Sequence, residues 1–356
     1  MLVPEALRPL DRYISAKTFI RRERSLGGTG HVLVLPGTHV EPGDIVAEVQ
    51  ESGPIRVIDA ARILGVAANK VEELLQVAVG DEVEEGQLLA QRGRFLKRSL
   101  VSPLSGVIFY LDARGRLLVR SNPIRQQIRA ILRGTVVSVA VGQGIVIEAH
   151  GALVQGMWGN GKEDFGLLRM LVNEPNEILF ASAITAAMKN TILVAGPTVD
   201  AAVLEKASTV QIKGLIVGSL ELELIPLARQ MPYPIMLTEG FGYLPINMPA
   251  FNVLGELDGR DAALSALYQP REGKRRPELF VPLSGSTEAV PAGPLALGDR
   301  VRLLSQPYLG RVGTIEESAG IRYTLANELH VVACKVMLDE GKEVIVPYSN
   351  IERLLP

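Results

Sequence analysis

The chain is poor in the residues that most catalytic, secretory and metal-binding designs require. It has one cysteine, Cys334, so no internal disulfide can form and a reducing compartment is expected. Its four histidines, His31, His39, His150 and His330, are scattered without metal-ligand spacing, and none lies in the segment 191–240. No metal site is expected, and phosphohistidine chemistry is set aside for that segment. No apolar run reaches the ~18 residues of a membrane span. The opening MLVPEALRPLDRY carries charge where a signal peptide needs an apolar core, so a cytoplasmic location is expected. Neither sign of charge dominates: 37 basic against 39 acidic residues leave a net charge of -2. Such a balance gives no global footprint for nucleic acid or an anionic membrane.

Apolar side chains, by contrast, are plentiful. They make up 47% of the 356 residues, enough for two or three domains with their own cores and for spare surface that a partner or a second copy would cover. One pattern occurs twice. Gly37, Val40, Glu41, Gly43, Val46 and Ala47 align with Gly80, Val83, Glu84, Gly86, Leu89 and Ala90. Glycines suited to tight turns, spaced between aliphatic residues suited to short strands, predict a duplicated strand-turn-strand unit and a small closed barrel.

These repeats, followed by SPLSGVIFYLD at Ser102 to Asp112, resemble the biotinyl/lipoyl-type barrel-sandwich domain. The resemblance implies a barrel-sandwich hybrid over residues 30–125, after an N-terminal arm at 1–29. Carriers of that family present an acceptor lysine in a setting such as Asp-Lys-Ala or Met-Lys-Met. The one lysine between the second repeat and Pro103 is Lys97, in FLKRS, so no cofactor is expected. The arm holds Arg21, Arg22 and Arg24 and reads as solvated, with phosphate binding as the alternative. Between the repeats, IRVIDAARILGVAANKVEELL has helical spacing and reads as two short inserted helices. Residues 34–91 carry 3 basic and 11 acidic side chains, and 92–133 carry 10 basic and one acidic. Mutual neutralisation is the expectation, and an anion-binding stripe the rival.

A second unit is expected over 134–280, a β region followed by an α/β half-sheet. Gly156, Gly161 and Lys162 in GMWGNGKE match seven positions of a P-loop, but Glu163 replaces the Ser or Thr that would ligate magnesium, so nucleotide turnover is not expected. Trp158 and Lys162 are therefore assigned to a loop. From Thr191, aliphatic strands alternate with helical patterns, which predicts parallel pairing. Ligands of open sheets sit beyond the carboxyl ends of such strands. There stand Gly196, Thr198, Gly218, Ser219, Thr238, Glu239 and Gly240, the candidate ligand crevice, with ordinary turn chemistry as the competing reading. Glu239 is the one acid singled out.

GELDGRDAALSALY reads as helix, and residues 281–294, rich in Pro, Gly, Ser and Thr, as a linker. LGDRVRLLSQPYLGRVGTIEE, at Leu297 to Glu317, resembles a KOW motif, and with KVMLDEGKEVIVPYSNIERL an SH3-like barrel over 295–356. That resemblance implies contact with RNA, a ribosome, RNA polymerase or another protein, through Arg300, Arg302 and Arg311. Balanced local charge, 7 basic against 8 acidic from residue 293 onward, argues against strong nucleic-acid affinity.

The expected protein is multidomain, mainly β plus α/β, and a non-enzymatic adaptor or assembly subunit. The alternatives are a transcription- or translation-associated factor acting through the KOW-like domain, and a small-ligand-binding protein or enzyme using the α/β crevice. Residues 241–254, proline-bearing and aperiodic, are the expected contact of a homo-oligomer or hetero-complex.

Overall fold

The computed structural model describes residues 10–93, 97–269, 275–285, 295–324, 328 and 330–355. Strands take 47% and helices 15%, so the protein is mainly β. Its first third holds β1 (Leu10–Ser25), β2 (Thr29–Val32), β3 (His39–Val40), β4 (Ile45–Glu51), β5 (Ile55–Asp59), α1 (Ala60–Leu64), β6 (Glu82–Val83), β7 (Leu88–Arg92), β8 (Arg98–Val101), β9 (Gly106–Leu111), β10 (Arg116–Ser121) and β11 (Ile124–Arg129). The middle holds β12 (Gly134–Ala140), β13 (Gly144–Gln155), β14 (Trp158–Gly159), β15 (Glu163–Met170), β16 (Thr191–Val194), α2 (Ala201–Val210), β17 (Gly214–Leu220), α3 (Ile225–Gln230), β18 (Ile235–Phe241), α4 (Met248–Glu256), β19 (Asp261–Ser265) and β20 (Glu278–Pro282). The C-terminal strands are β21 (Arg300–Leu303), β22 (Val312–Thr324), β23 (His330–Leu338), β24 (Glu343–Pro347) and β25 (Ile351–Leu355).

The duplication seen in the sequence is repeated in hydrogen bonding. Val40 pairs with Gly134 and Val83 with Gly106, so each copy meets a strand that opens on glycine. At both glycines a Cβ would collide with the carbonyl of the next strand, Glu148 in one case and Arg120 in the other. The turns match too: the Leu35 amide donates to the Thr38 hydroxyl, as the Ala78 amide donates to the Asp81 carboxylate. The copies do not close on each other, however. Val40 and Val46 share a core with Ile20, Ile147 and Phe280, whereas Val83 and Leu89 lie in a separate core with Leu64 and Leu117. β12, beyond residue 125, pairs with both β3 and β13 and so joins the first copy to the large sheet. Two short helical pieces, α1 and the turns at 68–74, do stand between the copies. Charge balance is only partly met: Arg133 Nε reaches Glu41 at 2.7 Å, while Arg116 pairs within its own segment, with Asp112.

One sheet organises the rest, in the order β14-β18-β17-β16-β15-β19-β20-β13-β1-β25-β21-β22-β23-β24. β16, β17 and β18 are mutually parallel, as the strand-helix rhythm predicts, and β15 joins them in parallel beside β16. β16 and β17 are covered on both faces, by α2 and α3 with their flanking loops, and every residue of the two strands is buried. α2 starts at Asp200, whose carboxylate accepts from the Val203 amide, and it ends at Gln211 in the left-handed conformation.

Three expectations are corrected here. The polar arm at 1–29 is, over its described residues, strand β1 at the centre of the sheet, antiparallel to β13 and parallel to β25. Its arginines find carboxylates far along the chain, which no local reading reveals. The helix expected over 255–268 stops at Glu256, and Asp261–Ser265 becomes strand β19 because Leu264 and Ala263 fill the sheet between β15 and β20. Finally, the expected linker begins inside β20, and its residues 286–294 lie outside the described residues.

Candidate functional site

The ends of the parallel strands are occupied by the chain itself. A Cβ at Gly196 would strike the Glu177 carbonyl, and one at Gly218 the Leu244 carbonyl, so both glycines are there for close backbone approach. The Ser219 hydroxyl donates within reach of the carbonyls of Pro197 and Gly242 and accepts from the Leu244 amide at 2.8 Å. Segment 242–246 is thereby laced over the crevice. The hydroxyls of Thr198 and Thr238 have no hydrogen-bond partner among the described residues, and Gly240 takes a positive φ of 107°.

Glu239, the acid singled out from sequence, is held by partners. Its Oε1 accepts from the Asn247 side-chain amide at 2.7 Å and from the Asn247 backbone at 3.2 Å, and Asn247 in turn caps α4 through the Ala250 amide. Its Oε2 meets Arg302 Nε, and its carbonyl accepts from Arg302 Nη2 at 2.8 Å. Arg302 lies opposite Glu352 in the β21/β25 ladder, with Nη1 3.7 Å from that carboxylate, and Glu352 is also 2.6 Å from Arg276 Nη1. Glu239, Arg302 and Glu352 are each about 1% exposed or less. This junction ties β18, the C-terminal strands and Arg276, two residues before β20, together.

The three arginines expected to meet RNA or a partner are thus accounted for otherwise. Arg302 is buried, which corrects its assignment as a surface contact. Arg300 forks onto Asp339 at 2.6 and 2.7 Å, and that hydrogen bond, opposed by partial burial, raises its pKa above the ordinary arginine value. Arg311 pairs with Glu340 at 3.0 Å. Trp158, expected in a loop, is 6% exposed in β14 and makes an edge-on contact with Phe241 at 6.0 Å. Lys162 donates to the Arg229 carbonyl at 2.7 Å, and Glu163 pairs with Arg24, so the loop holds helix α3 and strand β1. Cys334 is buried, and burial pushes its thiol up to about 11, the state of an inert core residue.

A site that sequence reasoning missed lies on the other side of the sheet. β1 and β15 are four strand steps apart, about 19 Å in a flat sheet. Yet Arg24 Nη1 lies 2.9 Å from both carboxylate oxygens of Glu163. The sheet from β15 to β1 is therefore curled, and it frames a cavity of about 490 Å³ that is partly open to solvent. Its lining mixes apolar side chains, Ile20, Leu132, Leu153 and Phe280, with charged ones, Arg22, Arg24, Arg275, Arg276, Glu163 and Glu278. Arg22 forks onto Glu278, with Nη2 at 2.7 Å; burial alone would lower its pKa, but the Glu278 pairing outweighs that and raises it. Gln155 and the Tyr13 amide join the same polar corner. The only hint in the sequence was the cluster Arg21, Arg22 and Arg24.

Among the described residues, no group of three or more His, Cys, Asp or Glu is placed to hold a metal ion, and no helix is long and apolar enough to cross a membrane. No protein-family model matches the chain, and no curated protein matches it.

Proposed function

We propose that the protein is a non-enzymatic adaptor or assembly subunit of the cytoplasm, built from a barrel-sandwich-like unit, a mixed α/β unit and a KOW-like, SH3-like barrel. The observation that carries this reading is an exposed apolar patch at the edge of the filled crevice. Leu222, Phe241, Tyr243 and Met248 are 63, 40, 56 and 55% exposed, and Leu220 pairs with Phe241 in the ladder, so these side chains gather at one end of β17 and β18. Beneath them the strand ends are closed by the chain, and Glu239 is spent on Arg302 and Asn247. A rigid apolar platform over a closed crevice suits docking better than turnover.

The expected contact 241–254 divides accordingly. Its start belongs to this platform, while Ile246, Ala250, Phe251 and Leu254 are buried in the core of α4 and the sheet. The rival reading as an RNA-associated factor has less support, since Arg300, Arg302 and Arg311 are each matched by carboxylates. Light scattering of the pure protein, and recovery of partners from extract of the native cell, test the proposal. We expect a homo-oligomer or a stable hetero-complex, weakened by Phe241→Ser with Tyr243→Ser. A monomer at micromolar concentration with no partner recovered would refute it.

A further inference from the structure

The platform just described makes no use of the cavity inside the curled sheet. Its volume, about 490 Å³, falls among those of small-molecule sites, roughly 300–1,000 Å³, and it combines apolar side chains with a few converging polar groups. Charge accounting defines what would fit. Five arginines and three glutamates, Glu23, Glu163 and Glu278, line it, and four of the arginines have carboxylate partners: Arg21 with Glu148, Arg22 with Glu278, Arg24 with Glu163 and Arg276 with Glu352. The fifth, Arg275, donates through Nη2 to the main-chain carbonyl of Glu23 and has no carboxylate partner among the described residues. Glu23 also lines the cavity, and its exposed side chain lies, like that of Arg21, on the opposite face of β1 from Arg22 and Arg24. Arg24 adds capacity, because only its Nη1 and Nε have acceptors among the described residues.

We propose that this cavity binds a small organic monocarboxylate, its anionic group on Arg275 and the free edge of Arg24 and its apolar body against Leu132, Leu153 and Phe280. A guanidinium with unused donors takes a carboxylate in charge-assisted hydrogen bonds, and the apolar side chains reward a hydrocarbon or aromatic tail. A single negative charge matches the single unpaired arginine. A phosphate dianion would bring a second charge close to Glu163 and Glu278 without a cation to meet it.

The test uses the full chain and three probes, hexanoate, 3-phenylpropanoate and indole-3-acetate, followed by ligand-observed NMR and calorimetry. Controls are 3-phenylpropan-1-ol and inorganic phosphate. At least one acid should bind saturably, with the alcohol at least tenfold weaker and phosphate not competing. Arg275→Gln should weaken the acid about tenfold or more and Arg275→Lys less. Ser265→Phe, which fills the cavity from β19, should abolish binding while circular dichroism stays native, and Leu267→Trp serves the same purpose if that variant does not fold. Absence of binding by all three acids, or binding unchanged in a folded cavity-filled variant or in Arg275→Gln, would overturn the site. Phosphate competing as well as the acids would overturn the choice of ligand. None of these outcomes depends on whether the apolar platform joins subunits.

Discussion

The junction at Glu239 and the cavity at Arg275 are made of the same two residue types, yet they serve opposite ends. At the junction, Glu239, Arg302, Glu352 and Arg276 satisfy one another in a space closed to solvent, and three strands from different parts of the chain are fixed by it. In the cavity, one arginine, Arg275, has no carboxylate partner among the described residues, and it lines a volume partly open to solvent. Ions that match hold structure; a cation without a matching anion leaves a place for a ligand. The count of partners tells the two apart.

The largest effect should come from breaking the junction on one side. Arg302→Met leaves Glu239 and Glu352 without their shared cation, and such uncompensated buried charge costs about 3–5 kcal/mol. Urea unfolding should show a midpoint shift of that size. A change that leaves stability intact would mean that the carboxylates are solvated.

Alkaline pH should be next. Burial raises Cys334 from an ordinary value of 9.0 to about 11, and it raises Tyr348 from 10.0 to about 12. Both groups are neutral at pH 8 and charge more readily in the unfolded chain. The stability they contribute is therefore full below pH 9 and falls as pH rises through the folded values. For Cys334 alone the loss is on the order of 2–3 kcal/mol between pH 9 and 11. Cys334→Val should flatten that part of the pH profile in thermal melts, and an unchanged slope would count against a buried thiol.

On the cavity side the effects should be smaller. Arg24→Gln loosens the link that holds β1 to β15 and should cost about 1–2 kcal/mol, since the pair keeps some contact with solvent. Smallest of all is Lys162→Ala, within about 0.5 kcal/mol, because its one bond is to an exposed carbonyl. If that substitution abolished a magnesium-dependent nucleotide turnover, the reading of the 156–162 loop as structural would be wrong.

Local patterns were legible in the sequence, and long-range charge was not. The matched glycines at 37 and 80 announced the paired turns, and the aliphatic rhythm after Thr191 announced three of the four parallel strands. Glu239 and Arg302 were each picked out, one as an acid beside a crevice and the other as a surface cation. Glu239 stood out by its place near a strand end and Arg302 by the KOW-like motif, and what the sequence hid is that they pair with each other. Arg22 and Arg24 misled for the same reason: with partners 256 and 139 residues away, they read as a solvated arm instead of the charged face of a central strand. The cavity needs the curl of five strands, and no window of sequence contains that.

A double-mutant cycle at Glu239 and Arg302 tests the comparison most directly. Glu239→Gln, Arg302→Met and the double variant would be unfolded in urea, with the α/β sheet and the C-terminal strands followed by separate probes. The account predicts a coupling of about 2 kcal/mol or more and coincident transitions for the two regions in the unmodified protein. Additive effects, with the C-terminal strands melting independently of the sheet, would contradict it.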